Sequence, residues 1–168
     1  MKNHFELFGL TPAYALETES LERSYREIQS RIHPDRYAHA GDAERRASMQ
    51  WTTRVNEAYR TLKSPVQRAK YLLEMHGVDV GFETNTQMPA DFLLRQLELR
   101  EALAQAKAPA ALDGLLEDVR KEKRLLEGSI GQLLDGKRDY AAAAGEVRKL
   151  MFLDKLAAQI DLAYEGVE

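Results

Sequence analysis

An all-α chain built from two helical modules is predicted on three grounds. The 168 residues are rich in Ala, Leu, Glu, Lys and Arg, and only 8% are aromatic, a balance that favours helices. Apolar residues recur at spacings of three and four along most of the chain. The breaks in that pattern fall at prolines and glycines, namely Pro34, Gly77, Pro109 and Gly136. Apolar residues make up 44%, enough for one ordinary core or two small ones.

Taken in order, residues 4–9 form one or two helical turns carrying Phe5, Leu7 and Phe8, with Gly9 as the stop. Thr18 is placed as the N-cap of a helix running to about Ile32. Its apolar positions Leu21, Tyr25, Ile28 and Ile32 are spaced four, three and four apart. Pro34 ends it, because proline disfavours helical geometry in the preceding residue. Residues 34–41 are a loop. Gly41-Asp42 opens a long helix to about Leu62, with Ala47, Trp51, Val55, Ala58, Tyr59 and Leu62 as its buried stripe. Ser64-Pro65 starts a short helix through Ala69, Leu72 and Leu73, which Gly77 terminates. Residues 77–88 lack periodicity and contain Gly, Thr, Asn and Asp, as a linker does. Helices of roughly 89–107, 109–135 and 139–165 follow, a three-helix bundle.

Charge and composition exclude several function classes. The net charge of −3 is small, but residues 1–76 carry 12 Lys and Arg against 10 Asp and Glu, whereas residues 77–168 carry 12 against 17. Two modules facing different partners fit that split, and a nucleic-acid binder fits it poorly. There are no cysteines, hence no disulfide and no thiolate site for zinc or an iron–sulfur cluster. Neither a signal peptide nor an apolar run of membrane-spanning length is present. A cytoplasmic protein without membrane association is expected. No phosphate-binding glycine loop and no nucleophile–base arrangement is evident, so no enzyme, no cofactor and no metal site are expected.

Two constellations stand out. His33-Pro34-Asp35 lies on the polar loop between the two long helices of the first module, beside Arg23, Arg26 and Arg31, with Arg36 next in sequence. A basic helix next to a rigid loop bearing one carboxylate suits an acidic partner surface containing a cation for Asp35. The plainer alternative is that Pro34 only ends a helix, His33 only caps it and the arginines only face solvent. The second constellation is the helix after Pro89. Phe92, Leu99, Leu103 and Ala106 share one face at 100° per residue, while Leu93, Leu94 and Leu97 point more than 90° away, flanked by Glu98 and Glu101. A bundle helix needs one broad apolar face. A second stripe either binds a partner or packs against the linker or the first module.

Residues 4–76 resemble the J domain of DnaJ-type co-chaperones: a short Phe/Leu helix, a basic helix, His33-Pro34-Asp35, and a third helix ending Asn56-Glu57-Ala58-Tyr59-Arg60-Thr61-Leu62. In that family the His-Pro-Asp motif is required to stimulate the ATPase of a DnaK-type chaperone. The resemblance therefore implies chaperone-binding roles for His33, Pro34 and Asp35, and for Arg23, Arg26 and Arg36 on the docking surface. Arg36 stands where lysine is common, and the two cations are not equivalent at demanding contacts. The family's general members carry Gly/Phe-rich linkers and cysteine repeats, which are absent here.

Three further segments narrow the resemblance to the HscB family, the J-domain co-chaperones of iron–sulfur cluster biogenesis. They are Arg68-Ala69-Lys70-Tyr71-Leu72-Leu73 with His76-Gly77, Phe92 through Glu101, and Arg148 through Leu156. That family holds the scaffold protein IscU on its C-terminal module and presents it to the DnaK-type chaperone HscA. The matching positions imply scaffold contacts at Leu93, Leu94, Leu97, Glu98, Glu101 and Phe152. The acidic stripe is shorter than in some relatives, since Gln105 lies one turn beyond Glu101. Some eukaryotic relatives add an N-terminal zinc segment, and the metal-free bacterial form is expected here. The organisation implied is a J domain over 1–76, a linker over 77–88 and a three-helix client-binding domain over 89–168. The partners implied are an HscA-like DnaK-type chaperone and an IscU-like scaffold protein, with no nucleic acid and no membrane. The alternative is a specialised J-domain protein with a different client.

Overall fold

A computed structural model describes residues 2–81 and 88–167. Part of the expected linker, residues 82–87, lies outside the described residues. Among the described residues the fold is all-α. The helices are α1 (His4–Leu7), α2 (Thr18–Ile32), α3 (Asp42–Lys63), α4 (Pro65–Met75), α5 (Ala90–Gln105), α6 (Pro109–Gly131) and α7 (Tyr140–Glu165), with a 3-10 turn at Pro34–Tyr37 and a π turn at Gln132–Gly136. The chain divides into two compact units, Met1–Leu72 and Leu73–Glu168. The division falls inside α4, whose last turn belongs with the second unit.

In the first unit α2 and α3 form an antiparallel pair, and α1 packs against α3. Phe5, Leu21, Val55, Ala58 and Leu62 are essentially inaccessible to water and form the core with Phe8, Val66 and Ala69. Polar clasps fix the register of the pair. The Tyr25 hydroxyl donates to Asn56 Oδ1 at 2.5 Å, the Tyr59 hydroxyl donates to Glu22 Oε1 at 2.5 Å, and the two tyrosine rings stack with centroids 3.9 Å apart. The Arg68 guanidinium donates to the carbonyls of Tyr14 and Leu62, both at 2.7 Å, and so joins the loop before α2 to the end of α3.

Three local expectations are corrected. Thr18 is the first helical residue, not the N-cap; Glu17 holds that place and its side chain makes no capping hydrogen bond. The segment expected as a loop over 34–41 contains a 3-10 turn, because Pro34 is preset for the first position of such a turn. Ala47 and Trp51 are not buried; Trp51 is 47% exposed. The inner face of the first half of α3 is instead Ser48 and Thr52, one position round the helix, because these hydroxyls meet the end of α2.

In the second unit α6 and α7 form a long hairpin. Leu112, Leu115, Val119 and Ile130 of α6 and Val147, Leu150, Leu153, Leu156 and Ile160 of α7 are buried. Lys123 and Asp154 pair at 2.6 Å across it. The turn between them follows Gly136, the expected break: a π turn prolongs α6 to Gly136, and Arg138 takes left-handed geometry at φ 53°. The start of the unit is tied down by the His76 ring stacked on Tyr140 at 4.1 Å and by Arg148, which donates to the carbonyl of buried Val80 at 2.7 Å. Gly77 turns the chain after α4 at φ 74°, a conformation that favours glycine.

α5 lies on this hairpin. Leu99 joins the cluster of Leu112, Leu115, Val119, Leu153, Leu156 and Ile160, with Phe92, Leu103 and Ala106 packed against it. Arg95 donates to Glu122 of α6 at 2.6 Å, and Arg100 donates to Gln159 of α7 at 3.4 Å.

Candidate functional site

The His-Pro-Asp loop is shaped by its own sequence. Pro34 forces His33 out of helical geometry, to φ −57° and ψ 133°, and α2 stops at Ile32. His33 Nδ1 accepts the Asp35 N–H at 3.2 Å, the role of an N-cap for the turn that follows. The Arg36 N–H closes the turn on the His33 carbonyl at 3.0 Å.

The loop is also held from behind. Ser48, itself buried, donates its hydroxyl to the Ile32 carbonyl at 2.6 Å. Thr52 lies 3.4 Å from the same carbonyl and 2.8 Å from the Ser48 carbonyl. It has one proton to give, so Ser48 is the principal tie. Tyr37 donates to the Arg31 carbonyl at 3.4 Å. These supports were not singled out in the sequence; the signal for them is a Ser and a Thr four residues apart on the inner face of α3. The result is a fixed turn that leaves the Asp35 side chain 92% exposed, with His33 Nδ1 at 3.5 Å from its Oδ2.

Arg23, Arg26 and Arg36 are exposed. Arg23 and Arg26 rest on neutral oxygens, Ser20 Oγ and the Glu22 carbonyl, both at 3.4 Å. The Glu22 carboxylate is drawn the other way. The Tyr59 hydroxyl first, and Lys63 at 3.5 Å second, hold it below the usual carboxylate range. Arg31 differs, being paired with Glu27 at 2.6 Å. Arg23 and Arg26 thus keep their charge on the face of α2, and Asp35 stands at the end of that helix.

On α5 the two faces separate clearly. Leu99 is 2% exposed, whereas Leu93, Leu94 and Leu97 are 44%, 60% and 57% exposed. Glu98 and Glu101 are exposed beside them. Glu98 is contacted by Arg95 at 3.2 Å. Phe152 comes from α7, is half-buried, and meets the Phe92 ring edge-on at 6.3 Å. It therefore lies at the start of α5, next to the residue preceding Leu93. Among the described residues no group of three or more His, Cys, Asp or Glu side chains could hold a metal, and no helix is long and apolar enough to cross a membrane.

A family model described as the HSCB C-terminal oligomerisation domain matches residues 88–161. The co-chaperone protein HscB homolog of Burkholderia vietnamiensis strain G4 is 48% identical over 169 residues, spanning 99% of this chain and 96% of that protein. The chain belongs to the HscB family of co-chaperones. The HscB homolog of Ralstonia nicotianae is 54% identical over 156 residues, which span 91% of this chain and 89% of that one. Solved HscB structures share the fold over both units. Chaperone HscB from Vibrio cholerae superposes with a TM-score of 0.86 at 33% identity, covering 99% of this chain and 100% of its own. Human co-chaperone HscB gives 0.93 at 26% identity, covering 97% and 82%. Membership of the HscB family agrees with the family resemblance carried by the motifs of both modules.

Proposed function

We propose that this co-chaperone is a two-ended adaptor of the cytoplasm and not itself an enzyme. Its first unit engages an HscA-like DnaK-type chaperone through His33, Pro34 and Asp35, with Arg23, Arg26 and Arg36 as the electrostatic docking face, and stimulates ATP hydrolysis there. Its second unit holds an IscU-like iron–sulfur scaffold on Leu93, Leu94 and Leu97, with Glu98, Glu101 and Phe152 around them. Hydrolysis by the chaperone then clamps the delivered scaffold and promotes cluster assembly and transfer.

The observation that carries this reading is the exposed leucine stripe on a helix whose opposite face is already buried. Three large apolar side chains gathered partly in water beside two carboxylates are what a partner would gain by covering. At the other end, a carboxylate on a braced turn can enter a partner's site without first being ordered, which lowers the entropic cost of docking.

The test is ATP hydrolysis by an HscA-type chaperone with a fixed amount of IscU, titrated with this chain and with Asp35→Asn. Stimulation is expected to need both Asp35 and the scaffold, and Asp35→Asn is expected to keep its fold and its scaffold binding. Full stimulation by Asp35→Asn would remove Asp35 from the docking site. Stimulation indifferent to IscU would point to a different client.

A further inference from the structure

The two carboxylates beside the leucine stripe are in different situations. Arg95 stands at the border between the buried face of α5 and the exposed stripe. Its Nε donates to Glu122 Oε1 of α6 at 2.6 Å, and its Nη1 reaches Glu98 Oε2 at 3.2 Å. The two carboxylates, Glu122 foremost, hold the guanidinium above its ordinary range. Glu122 is the less exposed of the two, at 28% against 67% for Glu98, so the cation is anchored at the α6 end and offers its remaining edge to Glu98. The guanidinium is planar and its donors are fixed relative to one another. Fixing Nε on Glu122 therefore also fixes where Nη1 points, and so where the Glu98 carboxylate rests relative to Leu94 and Leu97.

We infer that Arg95 is a positioning residue of the client face: anchored on Glu122, it presets the Glu98 carboxylate for the basic group of the client. This rests on the reading that α5 binds the scaffold. The opposite effect of the same cation would be to neutralise Glu98 and weaken its pull on a basic client, and the two effects have opposite signs.

The experiment measures affinity for an IscU-type scaffold at low and high salt with the full chain, Arg95→Gln, Arg95→Lys, Glu122→Gln and Glu98→Gln, alone and combined, with thermal unfolding of each. Arg95→Gln and Glu122→Gln are each expected to weaken binding by about two- to fivefold, the range of an exposed ion pair. Both are expected to make binding less sensitive to salt and to lose their effect once Glu98→Gln is present. Arg95→Lys, which keeps the charge but not the fork, is expected to rescue only part of the loss. Tighter binding by Arg95→Gln would overturn the inference in favour of neutralisation. A loss with Arg95→Gln but not with Glu122→Gln would make Arg95 a direct contact instead. An altered melting temperature with unchanged affinity and salt dependence would reduce the triad to a strut between helices. An unsubstituted chain that fails to bind the scaffold would overturn the scaffold reading itself, and this inference with it.

Discussion

Replacing Leu93 and Leu97 together by Ser separates what α5 does for the fold from what it does for a client. Fully burying a leucine is worth about 1.5–3 kcal/mol. Leu93 and Leu97 are 44% and 57% exposed, so roughly half of that, ~0.8–1.5 kcal/mol each, is left for a partner to gain by covering them. The double substitution is therefore expected to cost ~1.6–3 kcal/mol of binding, roughly a 15- to 150-fold rise in Kd. Stability is expected to fall by less per residue than Leu99→Ala costs, because only the covered half of each side chain is withdrawn from the fold. Leu99→Ala is the matching control on the other face. It empties a buried position in the cluster formed with Leu153 and Leu156 and is expected to cost ~2–5 kcal/mol of stability. Calorimetric titration with an IscU-type scaffold gives the first quantity, and thermal unfolding followed by circular dichroism gives the second. An unchanged Kd in the double variant would remove the stripe from the client face. Destabilisation per residue as large as that of Leu99→Ala would show that the leucines hold the bundle together.

Two further predictions concern the first unit. Ser48→Ala removes the stronger tie on the Ile32 carbonyl and is expected to cost about 1–3 kcal/mol, since that carbonyl loses its best donor; stimulation of the chaperone's ATPase should fall while scaffold binding does not, and an undiminished ATPase response would show that the loop needs no brace from α3. His4 gives the pH dependence. Burial, the largest influence, holds its imidazole below the ordinary 6.5, so as the pH falls the unfolded chain takes up this proton before the folded one. The contribution of His4 to stability is thus complete above pH 6.5 and declines as the pH drops through 6.5 toward the lower folded value. His4→Phe preserves a ring against Tyr71, where the native rings stack at 4.3 Å, and is expected to flatten that decline in urea unfolding measured across the window; an identical pH slope in both proteins would show that His4 is not its source.

Much of the fold was legible because periodicity and punctuation agree. Pro34, Gly77 and Pro109 each stop or start a helix where the sequence places them, since a ring without an N–H or a residue without a Cβ acts locally. The failures were at positions where tertiary contact outweighs local pattern. Ala47 and Trp51 sit at helical spacing from Val55 and Ala58, but that face of α3 is not covered over its first half, and Ser48 and Thr52 turn inward to satisfy the end of α2. Thr18 is a good capping residue, but the helix begins one residue earlier than its pattern suggests, so Glu17 takes the capping position and Thr18 the first helical one. At the turn before α7 the helical run ends at Gly136, where the sequence places the break, through a π turn that local pattern does not signal.

The candidate site was legible for a different reason: several departures from the usual pattern gather there on one helix. α5 is inverted at two places. Leucines stand outward at 93, 94 and 97, while Gln96 is buried with neither amide atom hydrogen-bonded. A buried unpaired amide costs about 1–3 kcal/mol, and the exposed part of a leucine returns nothing to the fold. Single exposed leucines also stand on α6 and α7, Leu125 at 75% and Leu162 at 65%, but among the described residues three gathered on one face occur only on α5. Local rules are expected to fail where function competes with stability, and both departures meet on α5, the helix proposed to hold the scaffold. The same logic explains why the His-Pro-Asp turn was readable only as a motif. Its residues break no rule, since Pro34 stops a helix and His33 caps a turn as ordinary residues do, and only the exposed Asp35 at the end of a helix carrying Arg23 and Arg26 makes the turn more than punctuation.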